Sequence, residues 1–349
     1  MTITLEKRRT ITRDLFPGDI PLLWSPLLTH YRDDGGIDIE RMKIHLRQIA
    51  PWCKGLLVPG TTGDGWELND EETLVVTRFV LNMAEQFKTR LLLGALRTDM
   101  DTVKGIISRM RSLIDEKRPG TSGTIDGLGA AGVCGFAVCP PKGKLLTQEF
   151  IETSLSDILD MGLPVALYQL PFVTENEVAP ETFERLVKRY PNLIFFKDSS
   201  GRDLIAKSDV DKGEVFLVRG GEGDYIRWLK KAGGPYDGFL LSVTNSFSPE
   251  LASMIAALEA GNRHVAQDIS ERITKVIFAT IPLVRSLPCG NAFTNANKAI
   301  DHYYAFGPKA AEKDGPMLKG GSRISREIIV ATGEALNASR LMPAKGYCE

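Results

Sequence analysis

The chain has 349 residues, 43% of them hydrophobic and 25% charged, with a formal net charge of −1 at pH 7. That balance excludes a disordered or collagen-like class and supplies no basic field for nucleic acid. It is the composition of an ordinary globular protein of one large domain or two average ones.

No run of apolar residues reaches the ~18 needed for a membrane span, so no membrane partner is expected. Residues 1–13 alternate Thr, Ile, Lys and Arg with no apolar h-region, which argues against a signal peptide. Cys53, Cys134, Cys139, Cys289 and Cys348 are odd in number and scattered, with no CxxC pair. A reducing, cytoplasmic setting is the simplest reading of that pattern. His30, His45, His264 and His302 are dispersed and none lies in an HExxH pattern, so no metal site is expected. No Ser lies in a GxSxG elbow and no GxGxxG or GxxxxGK follows a strand, so no cofactor is expected.

Along the chain, short apolar runs alternate with amphipathic segments. A first strand is predicted over 21–27 and a helix over 37–51, with Ile39, Met42, Leu46 and Ile49 on one face. A second buried strand covers 55–60. Asn69 with Glu72 three residues on reads as a capping box opening a helix to residue 87. The third strand is 91–96, and 99–117 is the helix after it. Residues 118–129, rich in Gly, Thr and Ser, read as an inserted loop.

The fourth strand is 132–139, closed by Pro140-Pro141, with a helix over 147–161. The fifth strand is 164–168, and the helix after it starts at Pro180, a good first-turn residue. Leu193-Ile194-Phe195-Phe196 runs directly into Lys197 and then into Asp198-Ser199-Ser200-Gly201, a buried sixth strand ending at a polar turn. The seventh strand is 215–218, with a helix over 224–231, and the eighth is 238–243. Eight strands joined by helical crossovers predict a parallel (β/α)8 TIM barrel over residues 1–260, with a short N-terminal lead-in. A doubly wound sheet would more often show a Gly-rich first turn. The remainder, 261–349, reads as a helical C-terminal extension.

In such a barrel the reactive face is the C-terminal end of the strands. The second strand ends in Gly60-Thr61-Thr62-Gly63, whose hydroxyls and backbone N–H groups suit a carboxylate, although a plain tight turn would read the same way. Tyr168 ends the fifth strand, as a core aromatic or a proton carrier. Lys197 ends the sixth. It is either a solvated strand end or a desolvated amine able to form a Schiff base. Their coincidence on one face favours the second meaning for each, in a site for a 2-oxo acid. Trp66, Arg97, Lys142 and Lys144 fall on the same side. Trp66 could wall the pocket or serve packing. Arg97 could receive an acidic group or be an exposed residue at a helix start, and the two lysines fit a solvated loop.

Gly60-Thr61-Thr62-Gly63, Tyr168-x-x-Pro171 and 196–201 resemble the signature blocks of the dihydrodipicolinate synthase / N-acetylneuraminate lyase family of Schiff-base pyruvate aldolases and dehydratases. Val243-Thr244-Asn245 followed by Ser248-Pro249-Glu250 resembles its eighth-strand loop. The resemblance runs from about residue 19 to residue 300. It implies that Lys197 forms the imine and Tyr168 carries protons. It also implies that Gly60, Thr61, Thr62, Gly63 and Val243 bind the substrate. Two positions depart. The arginine two residues beyond the proline of the tyrosine block is Val173 here, and the paired tyrosines after the fourth strand are replaced around Lys142-Gly143-Lys144. One of those tyrosines normally completes a relay across a subunit contact.

The expectation is therefore a lyase acting on pyruvate or a 2-keto-3-deoxy sugar acid. Synthesis of 4-hydroxy-tetrahydrodipicolinate is the alternative within the class, and a catalytically altered 2-oxo-acid sensor or scaffold is the alternative outside it. The resemblance also implies a homo-oligomer, a dimer or tetramer.

Overall fold

A computed structural model of the chain describes residues 2–349. Eight parallel strands close into a barrel in sequence order: β1 (Leu23–Ser25), β2 (Gly55–Val58), β3 (Arg90–Gly94), β4 (Val133–Val138), β5 (Val165–Gln169), β6 (Leu193–Asp198), β7 (Phe216–Arg219) and β8 (Gly238–Leu240), with β8 paired to β1. This is the predicted TIM barrel. Nearly every strand residue is buried, which is why the strands read as continuous apolar runs without alternation. The predicted first strand is longer than β1, since Pro26 has no N–H to give the ladder.

Thirteen α-helices are described: α1 (Thr2–Leu15), α2 (Ile39–Ile49), α3 (Asp70–Phe87), α4 (Met100–Lys117), α5 (Ile125–Ala130), α6 (Gln148–Leu159), α7 (Pro171–Thr174), α8 (Pro180–Arg189), α9 (Leu204–Lys207), α10 (Thr244–Glu259), α11 (Arg263–Val284), α12 (Ala292–Phe306) and α13 (Arg326–Ala338). The capping box at α3 forms as read: Asn69 accepts from the Glu72 N–H, and Glu72 accepts from the Asn69 N–H.

Three expectations need correction. The N-terminal lead-in is a full helix, α1. Its buried Arg8 donates to the carbonyls of Leu193, Gly213, Val187 and Tyr190 at 2.5–2.9 Å, tying α1 to the end of α8 and to the β6 and β7 approaches. One of three arginines in α1, it gave no sign of that role in the sequence. Residues 118–129 are only half a loop. Thr124 caps α5, and α5 packs on α1 so closely that a Cβ on Gly129 would come 2.7 Å from the Asp14 carbonyl. The helix expected over 224–231 is two 3-10 turns, Tyr225–Arg227 and Lys230–Ala232. Asp224 and Gly233 both adopt positive φ, and Gly233-Gly234-Pro235 stops any longer helix.

One apolar core runs from the barrel through α10 into the C-terminal helices, taking in Val276, Ile277, Ile300 and Leu336. The C-terminal helices thus pack on the barrel.

Candidate active site

Lys197 on β6 is the register partner of Tyr168 on β5, at the C-terminal end of both strands. Its Nζ lies 4.0 Å from the centre of the Tyr168 ring, and the residue is only 5% exposed. Gly220, just past β7, makes room for it. A Cβ there would lie 2.8 Å from Lys197 Cε and 2.1 Å from Ser199 Oγ. Burial strips the ammonium of water and lowers the pKa from 10.5 to about 7, against the opposing pull of Cys139 and Glu222. A large fraction of the amine is therefore neutral at physiological pH.

The Tyr168 hydroxyl is 3.0 Å from Thr61 Oγ1, and Trp66 Nε1 donates to the same Thr61 oxygen at 3.0 Å. An indole N–H can only donate, so Thr61 keeps its own proton for Tyr168. Burial raises the Tyr168 pKa, with hydrogen bonds from Thr61 and Ser199 acting the other way, so the group is a phenol at neutral pH.

Thr61, Thr62 and Gly63 form a 3-10 turn that spends the N–H groups of Gly63 and Asp64 on Gly60 and Thr61 carbonyls. The N–H groups of Thr61 and Thr62 lie outside those internal bonds. Gly63 cannot be replaced cheaply, as a Cβ would come 2.4 Å from the Leu27 carbonyl. All the residues read from strand ends thus meet at one place: Gly60, Thr61, Thr62, Gly63, Tyr168 and Lys197. Val243 is buried at the start of α10, and its N–H already points at Glu222 Oε1, 3.4 Å away.

The other flagged residues sort differently. Trp66 belongs to the site through Thr61. Arg97 is half-buried rather than exposed, and is held by Asp70 Oδ1 (2.8 Å), Thr73 Oγ1 and the Leu96 carbonyl. It is anchored to the start of α3. Lys142 pairs with Glu175 at 3.2 Å on the rim, and Lys144 is exposed.

Several site residues were not read from the sequence. Glu222 follows β7 in Gly220-Gly221-Glu222-Gly223. It is half-buried and accepts from the Ser242 N–H (2.8 Å), Ser242 Oγ (2.6 Å) and Tyr225 hydroxyl (2.8 Å). Burial raises its pKa, while those donors favour the carboxylate. The rule that located Lys197, inspection of residues past a strand end, would also have found it. From α12 and the turn before it, Asn291 Nδ2 and Thr294 Oγ1 both donate to the Thr61 carbonyl at 3.1 Å. Buried Lys298 bonds Asp64 Oδ2 at 2.7 Å, and Tyr31 donates to the same oxygen at 3.0 Å. Apart from Tyr31–Asp64, these contacts join residues more than 200 positions apart, and no local signal marks them.

The dispersed histidines also converge. His30, His45 and Asp301 form one buried cluster among the described residues. His45 Nε2 donates to the Asn245 carbonyl at 2.7 Å, which leaves its Nδ1 to accept from His30 Nε2 at 2.9 Å. Asp301 takes Arg41 at 2.9 Å and the Tyr347 hydroxyl at 2.7 Å. Those bonds use the lone pairs that a cation would need, and burial keeps both imidazoles neutral. The cluster ties the C-terminal tail to α2 and the loop after β1.

A parallel eight-stranded barrel carrying a desolvated lysine and a tyrosine at its C-terminal mouth defines the class. Residues 126–288 match the model of the Dihydrodipicolinate synthetase family. A 4-hydroxy-tetrahydrodipicolinate synthase of Agrobacterium fabrum is 26% identical over 263 residues, 74% of this chain and 81% of the relative. That of Streptomyces coelicolor, the synthase numbered 1, is 25% identical over 311 residues, covering 88% and 92%. Among solved structures, the E. coli K12 prophage protein YagE in complex with pyruvate superposes with a TM-score of 0.72 at 17% identity, over 93% of this chain and all of that one. The 2-keto-3-deoxygluconate aldolase of Sulfolobus sulfataricus gives 0.68 at 16% identity, over 92% and 96%; at such identity these two likenesses speak for the fold. Over most of its length the chain is thus similar to members of the dihydrodipicolinate synthetase family.

Proposed function

We propose that the protein is a Schiff-base-forming lyase acting on pyruvate or a longer 2-oxo acid. The observation that carries the reading is Lys197 itself: buried, its pKa lowered by burial to about 7, and set against a phenol bonded to Thr61. The neutral amine adds to the C2 ketone. The carbinolamine loses water, with the phenolic proton of Tyr168 assisting its departure. The iminium so formed draws electrons from C3, so that a C–C bond there is made or broken, or water leaves from the adjoining carbon. Tyr168 is reprotonated through Thr61. The free N–H groups of Thr61 and Thr62 hold the substrate carboxylate, and Asn291 and Thr294 fix the turn that presents them.

Borohydride reduction in the presence of labelled pyruvate should leave a stable adduct on Lys197 and none on Lys197→Ala. Failure to label, with pyruvate binding unchanged in Lys197→Ala, would overturn the reading.

Synthesis of 4-hydroxy-tetrahydrodipicolinate is a second reading, favoured by the names of the curated relatives. Val173 weighs against it, because a carboxylate there would meet an apolar isopropyl group in place of a bidentate cation. We also take the protein to be a cytoplasmic homo-oligomer, a dimer or tetramer. All five cysteines are free thiols, which suits a reducing compartment, and no described helix is long and apolar enough to cross a membrane. Leu145 and Phe172, 92% and 82% exposed on the rim, are apolar surface that association would cover.

A further inference from the structure

Lys197 stands between two unlike walls. On the β3–β5 side, Leu96, Cys139 and Leu170 are buried in one small apolar cluster with Tyr168, and Trp66 and Val173 pack on it half-buried. This cluster is separate from the main core, and Cys139 is close enough to Lys197 to perturb it. Lys142 and Glu175, a charged pair on the adjoining rim, satisfy one another. Lys144 is on the same loop but faces solvent.

On the β7–β8 side the polar groups around Glu222 are bonded to one another. Both oxygens of Glu222 are taken by Ser242, Val243 and Tyr225, and Ser242 Oγ also accepts from Asn297. A chain of hydroxyl groups extending from C3 of a bound 2-oxo acid toward the β3–β5 side would therefore meet hydrocarbon. Each hydroxyl would surrender water without replacement.

We propose that Trp66, Leu96, Cys139, Leu170 and Val173 form a subsite for an apolar chain, so that the 2-oxo acid carries an aliphatic or aromatic tail in place of a sugar or a second carboxylate. The inference rests on the imine reading only for the placement of the first two carbons.

The test is calorimetric titration of the full-length protein with unbranched 2-oxo acids from 2-oxobutyrate to 2-oxooctanoate, and with 2-keto-3-deoxygluconate beside 2-oxohexanoate. The same samples are then reduced with borohydride. The subsite predicts affinity rising about fourfold per methylene until the cluster is covered, and 2-oxohexanoate binding at least tenfold tighter than its hydroxylated counterpart. Val173→Arg, at a half-buried rim position, should flatten the series and shift preference toward 2-oxoadipate. A flat series, or tighter binding of 2-keto-3-deoxygluconate, with the Lys197 adduct present would overturn the subsite and leave the imine reading intact. A rising series with no adduct would do the reverse.

Discussion

Lys197 and Tyr168 are opposite one another across β6 and β5, with the lysine nitrogen 4.0 Å above the tyrosine ring. The ring face offers an ammonium some cation–π attraction, yet burial outweighs it and the amine loses its proton near pH 7. Only the neutral amine attacks a ketone. Adduct formation should therefore fall about tenfold per pH unit below about 7 and level off above it. Initial rates of borohydride-trapped labelling against pH give the curve, and a midpoint above about 9 would contradict the desolvated site.

The same burial predicts a stability effect of defined sign. The folded pKa of Lys197 is below its unfolded value of 10.5, so the unfolded chain holds the extra proton between about pH 7 and 10.5. Stability should rise with pH across that window, and the cost of the buried amine is complete below it. Lys197→Met should therefore be more stable by on the order of 2–4 kcal/mol near pH 6, with the gain shrinking toward pH 10. Chemical denaturation at the two pH values measures it.

Tyr168→Phe keeps the packing of the ring and removes the hydroxyl that touches Thr61. Turnover should drop roughly 10²–10⁴-fold, the range for loss of a proton-transfer group, while the Lys197 adduct still forms. Equal loss of adduct and turnover would place Tyr168 in substrate binding instead.

Trp66→Phe removes one donor to Thr61 Oγ1 from within the same chain. A hydrogen bond of about 1 kcal/mol corresponds to about a fivefold loss in kcat, with KM little changed if the indole only orients the relay. A rise in KM for long-chain substrates alone would show that the ring acts as wall and not as donor.

Lys298 and Asp64 are each about 1% exposed at the side chain and 2.7 Å apart. Lys298→Met leaves a buried carboxylate without its cation and should cost about 3–5 kcal/mol of stability. Asp64→Asn combined with it should recover more than half of that, because the uncompensated charge is gone. Thermal unfolding of the two single variants and the double variant reads the coupling. Additive losses would mean that the pair does not interact across the turn.

The barrel was legible because its strands are buried on both faces. They appear as apolar runs of strand length, punctuated by caps such as Asn69-Glu72 that act locally. Lys197, Tyr168 and the Gly60–Gly63 turn could be found for the same reason, since each ends such a run. The helix wrongly expected after β7 shows the limit of periodicity. Glycines and a left-handed Asp224 overrode an apolar spacing that suited a helix.

By itself, then, the sequence determined the order of the elements, the closed parallel sheet and the three chemistry-bearing strand ends, because short-range propensity and burial periodicity govern all of them. Tertiary structure alone decided how those groups are tuned. The loss of water that neutralises Lys197 depends on walls drawn from five strands. The turn that carries Thr61 is held by Asn291 and Thr294, and Lys298 pairs with Asp64, from a helix more than 200 residues away. Desolvation and long-range hydrogen bonds are properties of a place in space, and no window of neighbouring residues contains them.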